Sequence, residues 1–176
     1  MAATHVQDRA LVARWADERR GPLLDAGCGP GHWTAWLASR GNVIEGVDGA
    51  ERFVEHARAT WPEVPFRVAM LDSLGMPDGS LDGILAWYSL IHLPPAEIDG
   101  VLAEFARCLA EGGSLLLGLF DGADLSMFDH QVAPAFTWSV DGAVSRLEAA
   151  GFDVVGHRRR ADPGTRHHLD LVARRR

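Results

Sequence analysis

Cysteine is scarce in this chain. Only Cys28 and Cys108 occur among 176 residues, which excludes a disulfide scaffold and any Cys-based metal motif and suits a reducing compartment. No run approaches the roughly 20 apolar residues that a membrane-spanning helix needs, and no charged-then-apolar leader opens the sequence. The expectation is a soluble, cytoplasmic protein with no membrane partner. Basic residues are also short, 17 against 24 acidic ones for a net charge of −7, which argues against a whole-surface nucleic-acid binder. The Arg158-Arg159-Arg160 and Arg174-Arg175-Arg176 runs, with Arg166 between them, are the local exception. Without interleaved aromatics for base stacking they read as a solvated hairpin end, so no nucleic-acid partner is expected. No metal site is expected either, because His167 and His168 are strand neighbours that point opposite ways and no spaced acids accompany them. Repeats and low-complexity tracts are absent.

What remains is a chain that is 47% hydrophobic, enough for one α/β domain with a filled core and short for two. A single domain spanning 1–176 is expected. It is organised around Leu23-Leu24-Asp25-Ala26-Gly27-Cys28-Gly29-Pro30-Gly31, which reads as strand, tight loop, helix. The alternating glycines provide positions where φ can be positive or where a ligand can approach without a Cβ in the way. The helix that follows, His32 to Arg40, turns its N–H groups and positive dipole end toward the loop, suiting an anionic ligand group. A dinucleotide fingerprint requires a further glycine three residues after the second. That place is His32, so the spacing disfavours this ligand.

Taken in order, a first helix is expected over Thr4 to Arg20, carrying Val6, Ala10, Ala13 and Trp15, and Gly21-Pro22 ends it. In the second helix Trp33, Trp36 and Leu37 form a stripe that faces a sheet, with Trp33 close enough to the loop to touch a ligand. Asn42 to Asp48 is a second strand ending on an acid about 20 residues past the glycines. There a carboxylate accepts ribose hydroxyls or caps the next helix. Phe53 to Thr60 continues that helix, and Phe66 to Met70 is a third strand. Asp72 after it is placed for an adenine amino group or for capping its own loop. Gly83 to Trp87 is a continuous apolar strand buried on both faces, with Tyr88 to Pro94 at its carboxyl end, where ligands of open α/β sheets collect. A helix from Pro95 stops at Gly112-Gly113, and Ser114 to Phe120 is a fifth strand. Residues 121–138 form too long an irregular stretch for a connector and read as a functional loop. A helix capped by Ser139 runs to Ala150. Phe152 to Arg158 and His168 to Ala173 then form an antiparallel hairpin around Asp162-Pro163-Gly164. The fold class is α/β, a seven-stranded mostly parallel sheet with helices on both faces and a C-terminal antiparallel β-hairpin.

The Asp25-x-Gly27-x-Gly29-x-Gly31 pattern resembles the first motif of the class I S-adenosylmethionine-dependent methyltransferases, and the strand and helix order from Leu23 onward is similar to their Rossmann-like plan. Pro77-Asp78-Gly79-Ser80-Leu81-Asp82 is also similar to the stretch before the fourth strand in the small-molecule branch related to the ubiquinone and menaquinone enzymes. The resemblance implies S-adenosyl-L-methionine as cofactor and S-adenosyl-L-homocysteine as product. Asp25 would face the cationic half of the ligand. Gly27, Cys28, Gly29, Gly31 and Trp33 would surround it from the loop, Asp48 and Gly49 from the second strand, Leu71, Asp72 and Ser73 from the third, and Trp87 from the fourth. The short segment before the loop implies a reduced lid.

Methyl transfer from a sulfonium requires alignment above all, and a base only when the acceptor loses a proton. His92 is the first candidate base, because its ordinary pKa lies near neutrality; it equally suits a helix-entry cap. Tyr88 and His130 are the lesser candidates. A small, partly apolar acceptor is expected between Tyr88 to His92 and residues 121–138, touching Tyr88, His92, Phe128, His130 and Trp138. The same bound sulfonium would serve a decarboxylation or cyclisation, and a vestigial loop would leave a non-catalytic binding protein. The oligomeric state is not legible.

Overall fold

The computed structural model describes residues 5–130 and 133–176. The expected start of the first helix at Thr4 lies outside them, as do Gln131 and Val132 of the expected functional loop. Helix α1 (Val6–Asp17) begins at His5, whose Nδ1 accepts the Gln7 N–H at 3.2 Å. Its buried stripe is Leu11, Val12, Trp15 and Ala16, while Val6 is exposed. The helix is shorter than expected because its apolar face ends at Ala16 and Gly21-Pro22 must turn the chain into the sheet.

Two βα units and a third parallel strand follow: β1 (Leu23–Ala26), α2 (His32–Ser39), β2 (Ile44–Asp48), α3 (Glu51–Thr60) and β3 (Phe66–Val68). Then come β4 (Leu81–Trp87), a 3₁₀ turn at Leu90–His92, α4 (Ile98–Cys108) and β5 (Leu109–Asp121). The sheet runs β3-β2-β1-β4-β5, all parallel. Buried Ile98, Val101, Leu102 and Phe105 recur at helical spacing on α4, which is the stripe a helix needs to sit on a sheet. The helix stops before Gly112-Gly113 rather than at them. Residues 109–113 join β5 through a register shift, where Leu81 pairs with Leu109 but Gly83 with Ser114, and Gly112 takes φ 73, open to a residue without a Cβ.

The C-terminal hairpin is β8 (Phe152–Arg160) and β9 (His168–Arg175), with β9 antiparallel to β5 over Ser114 to Phe120. The stretch expected to be irregular carries two further short strands, β6 (Met127–Phe128) and β7 (Ala135–Trp138), and so raises the count above seven. Strand β7 pairs with β5 at Phe120 and Asp121. At Phe120 the other edge is occupied by His168 of β9, so β7 takes over the edge that β4 leaves after pairing Trp87 with Gly118. Helix α5 (Val140–Ala149) follows, its N–H at Gly142 bonded to the Ser139 hydroxyl as expected.

Strand alternation sorts the core into two faces. Leu24, Ala26, Ile84 and Leu117 meet α4 and α5, while Leu23, Leu85 and Leu116 meet α1 and Leu37 of α2. Trp15 reaches across this second face to donate its indole N–H to the Ser114 hydroxyl at 3.0 Å. The carboxyl ends of β1 to β4 are left open between these layers.

Candidate functional site

The glycine loop leaves β1 with three left-handed residues, Gly27 at φ 80, Gly29 at φ 51 and Gly31 at φ 83. Each is glycine for a different reason. A Cβ at Gly27 would collide with the Ser89 side chain, and one at Gly31 would lie 2.6 Å from the Phe66 ring. At Gly29 it would meet nothing within 4 Å, so there the constraint is conformational and the space beside it is free for a ligand. Two N–H groups, of Gly27 and Cys28, donate to the Val47 carbonyl at 2.8 and 2.9 Å and fasten the loop to β2.

A cavity of about 410 Å³ opens at this place, within the usual size of a small-molecule site. Gly27, Gly29 and Pro30 border it on one side and Asp48 and Gly49 on the next. Met70, Leu71 and Asp72 border it beyond β3, with Phe53 of α3 leaning in. Tyr88, Ser89, His92 and Leu93 close the far end, with Glu97 and Val101 behind them. Sequence reasoning missed Phe53, Met70 and Ser89. The signal for Phe53 was a large apolar residue in the first turn of a helix; Ser89 offered none, being one polar residue in a turn.

Asp48 borders the cavity and is itself held by the backbone around it. It stands at the cavity and at the tip of β2, where Oδ2 accepts the Gly29 N–H at 2.9 Å and Oδ1 the Ala50 N–H at 2.8 Å. Asp25 departs from its expected place. Its side chain is buried, Oδ2 accepts the Thr34 hydroxyl at 2.6 Å, and it does not line the cavity. Strand alternation turns it toward α2, and burial pushes its carboxyl up to about 7 against the two hydrogen bonds from Thr34.

Several other expected ligand contacts lie elsewhere. Cys28 is buried between α2 and α3, and burial, then the nearby Asp25 and Asp48 carboxylates, push its thiol well above the usual range. Trp33 packs edge-on against Trp36 at 5.4 Å and Trp87 at 5.9 Å, on the α1 side of the sheet, because Trp87 alternates with Leu85. Gly31 is filled by Phe66, and Ser73 is tied into a turn by its N–H to the Met70 carbonyl at 3.1 Å. None of these five lines the cavity. Trp138 is 4% exposed in the core beneath β7, because its strand position turns it away from solvent.

The remaining acceptor candidates come together. His92 Nδ1 lies 3.1 Å from the Pro134 carbonyl. A carbonyl only accepts, so Nδ1 donates to it, and in the neutral imidazole Nε2 then holds the lone pair. The His92 ring neighbours His130 at 5.3 Å, and Phe128 lies 6.1 Å from His130 and 5.4 Å from Phe120. His130 is held below the usual histidine range by burial and by neighbouring His92 and Arg166. Tyr88 adjoins the same group, 5.1 Å from Phe120.

A three-glycine turn and an acid at the tip of the second strand, set at the carboxyl ends of a sheet in this order, define a class I S-adenosylmethionine-dependent methyltransferase. Residues 23–113 match the family model described as a methyltransferase domain, and the chain belongs to that family. It is 32% identical over 135 residues to a probable S-adenosylmethionine-dependent methyltransferase of Mycolicibacterium smegmatis, covering 75% of this chain and 52% of that one. It is 31% identical over 109 residues to the 2-heptyl-1-hydroxyquinolin-4(1H)-one methyltransferase of Mycobacteroides abscessus, covering 58% and 48%. The chain thus spans about half the length of these relatives. Among solved structures, Burkholderia thailandensis 1,6-didemethyltoxoflavin-N1-methyltransferase, with bound 1,6-didemethyltoxoflavin and S-adenosylhomocysteine, superposes with a TM-score of 0.82. Its identity is 24%, covering 97% of this chain and 77% of that one.

Proposed function

We propose that this chain transfers a methyl group from S-adenosylmethionine to a small, partly apolar acceptor, and that residues 1–176 work as one cytoplasmic unit without nucleic-acid or membrane partners. The observation that carries this reading is the cavity beside Gly29, bordered by Asp48 and Asp72. The residues fit the cofactor: the space beside Gly29 is open, and Ser89 Oγ, buried at the cavity wall, has no hydrogen-bond partner among the described residues. Among the described residues no helix is long and apolar enough to cross a membrane.

In this reading Gly27, Gly29 and Ser89 take the amino-acid part of the cofactor, Asp48 and Gly49 the ribose, and Leu71 and Asp72 the adenine between Phe53 and Met70. Asp25 holds the loop from beneath by way of Thr34. The bound sulfonium supplies an already activated methyl group. The protein's part is to align the acceptor and exclude water, with residues 121–138 as the acceptor-side insertion. Tyr88, His92, Phe128 and His130 face that side, and His92 Nε2 is free to accept a proton.

Calorimetry with S-adenosylhomocysteine tests the cofactor half of the reading, and binding of NAD with no response to S-adenosylhomocysteine would sink it. Mass analysis of the product formed with deuterated-methyl cofactor tests the reaction. An acceptor converted without gaining the label indicates decarboxylation or cyclisation instead, and a chain that binds no cofactor is a partner protein with a vestigial loop.

A further inference from the structure

Tyr88 is the single tyrosine of the chain and, among the described residues, the one non-glycine residue with positive φ, at 59°. That conformation costs a bulky side chain energy, and such residues cluster at functional sites. Here it swings the ring off the end of β4. The ring stands 5.5 Å from Trp87 and 5.1 Å from Phe120, and the hydroxyl reaches to 2.5 Å from His168 Nδ1 on β9. Burial, then the Asp8 carboxylate, raises the Tyr88 pKa. Burial and the Arg160 guanidinium lower that of His168, with Asp8 and Asp162 opposing. Both groups are therefore neutral near pH 7. In the tautomer that carries the His168 proton on Nε2, the phenol donates to Nδ1 and its oxygen retains lone pairs.

We propose that Tyr88 and His168 form a proton relay for an acceptor that bears a hydroxyl on an aromatic ring, with Tyr88 the catalytic residue and His168 the positioning residue behind it. This rests on the methyltransferase reading above. The acceptor oxygen forms its bond to the methyl carbon as the carbon–sulfur bond breaks, and that electron pair stays on sulfur. The acceptor's proton passes to the Tyr88 oxygen, whose own proton passes to His168 Nδ1. A methyl ether, a neutral thioether and an imidazolium result. The imidazolium is faced by Asp8 of α1 and Asp162 of the hairpin turn and opposed by Arg160 and His5, while the Asp170–Arg158 pair of the hairpin acts on Tyr88. The aromatic class follows from the wall beside the relay, where Phe120, Phe128 and His130 lie in mutual ring contact and the Arg166 guanidinium stacks 3.7 Å over Phe128.

The test uses two probe acceptors and labelled cofactor at mildly alkaline pH. Phenol, with a pKa of about 10 like tyrosine, must lose a proton, whereas 4-nitrophenol is already largely ionised. Tyr88→Phe and His168→Asn should each slow transfer to phenol by about 100-fold and to 4-nitrophenol only by a few-fold, with S-adenosylhomocysteine affinity retained. Asparagine keeps an oxygen to accept the phenol hydrogen bond but takes no proton, so a merely structural His168 would be rescued by it. The unaltered protein gives a second measurement that needs no variant: its rate on phenol should fall as the pH drops into the range where His168 protonates, which burial and Arg160 place below the ordinary histidine value. Equal losses on both probes, a wild-type rate in His168→Asn, a pH-independent rate, or no transfer to either probe by cofactor-binding protein would each overturn the relay. Failure of the unaltered protein to bind S-adenosylhomocysteine would overturn the methyltransferase reading instead.

Discussion

Asp48 holds two backbone N–H groups in the ligand-free chain, one from the glycine loop and one from the start of α3. A carboxylate with two oxygens has lone pairs left for ribose hydroxyls, so in the proposed site this one residue would tie loop, helix and ligand together. Asp48→Ala should weaken S-adenosylhomocysteine binding by about 10- to 100-fold, the size of charge-assisted hydrogen bonds worth about 1.5–3 kcal/mol. Unchanged affinity by calorimetry would remove Asp48 from the site. Asp25 makes a prediction of a different kind. Its carboxyl is raised from 3.8 to about 7 by burial, so between those values the native state binds the proton more tightly than the unfolded chain does. Stability from this group is then full below about pH 4 and lost as the pH rises through 7, by at most about 4 kcal/mol. In urea titrations Asp25→Asn should gain on the unaltered protein steadily from pH 4 to 7 and then level off. A pH-independent difference between the two would show that Asp25 is not neutral in the fold.

Helix α1 is held to the sheet by more than its apolar stripe. Asp8 lies 2.9 Å from Arg160 Nη1, and both side chains are about nine-tenths buried, so the pair joins the first helix to the last hairpin. Removing one partner of a buried pair leaves the other uncompensated, at a cost of about 3–5 kcal/mol. Asp162, 3.0 Å from Arg160 Nε, offsets part of that. Asp8→Ala should therefore lower stability by about 2–3 kcal/mol, read as a shift of the urea midpoint at constant slope. A shift within about 0.5 kcal/mol, as for an ordinary surface change, would mean that α1 docks by Trp15 and its neighbours alone. The same cluster faces His168, so the element that closes the second face of the sheet also sets the charge around the relay.

For the whole molecule, the arginine runs acquire partners that make them structural. Arg158 pairs with Asp170 at 2.9 Å, Arg159 with Asp121 at 2.7 Å, and Arg176 with Asp153 at 3.1 Å. Arg160 pairs with Asp8, and Arg175 donates to the Leu109 carbonyl. With Arg158, Arg159, Arg160 and Arg176 paired to carboxylates on a chain of net charge −7, little is left to displace counterions from a polyanion. Labelled single-stranded RNA at physiological salt should show no retention at micromolar protein. Tight, salt-sensitive retention would sink that expectation and reopen the hairpin as a binding face.

The sequence by itself determined the parallel alternation of strands and helices, the glycine turn and the acids at the ends of β2 and β3, because each depends on local rules. Apolar periodicity, positive-φ glycines and strand-end carboxylates announce themselves within a few residues. The expected pattern of a Rossmann-like sheet with a terminal hairpin was legible for that reason, as was the methyltransferase family. Only the tertiary structure decided which face each residue presents. Asp25 stands beside the cavity residues in sequence yet turns toward Thr34, since one step along a strand reverses a side chain. Trp33, close to the loop in the chain, and Trp87, at the end of β4, meet edge-on in the opposite layer. The β6–β7 hairpin exists because β4 departs at Tyr88 and frees an edge of β5, a vacancy no local pattern records. Tyr88 and His168 lie 80 residues apart and meet only because β9 runs antiparallel beside β5, so the placement that brings a phenol to an imidazole is a property of the folded sheet.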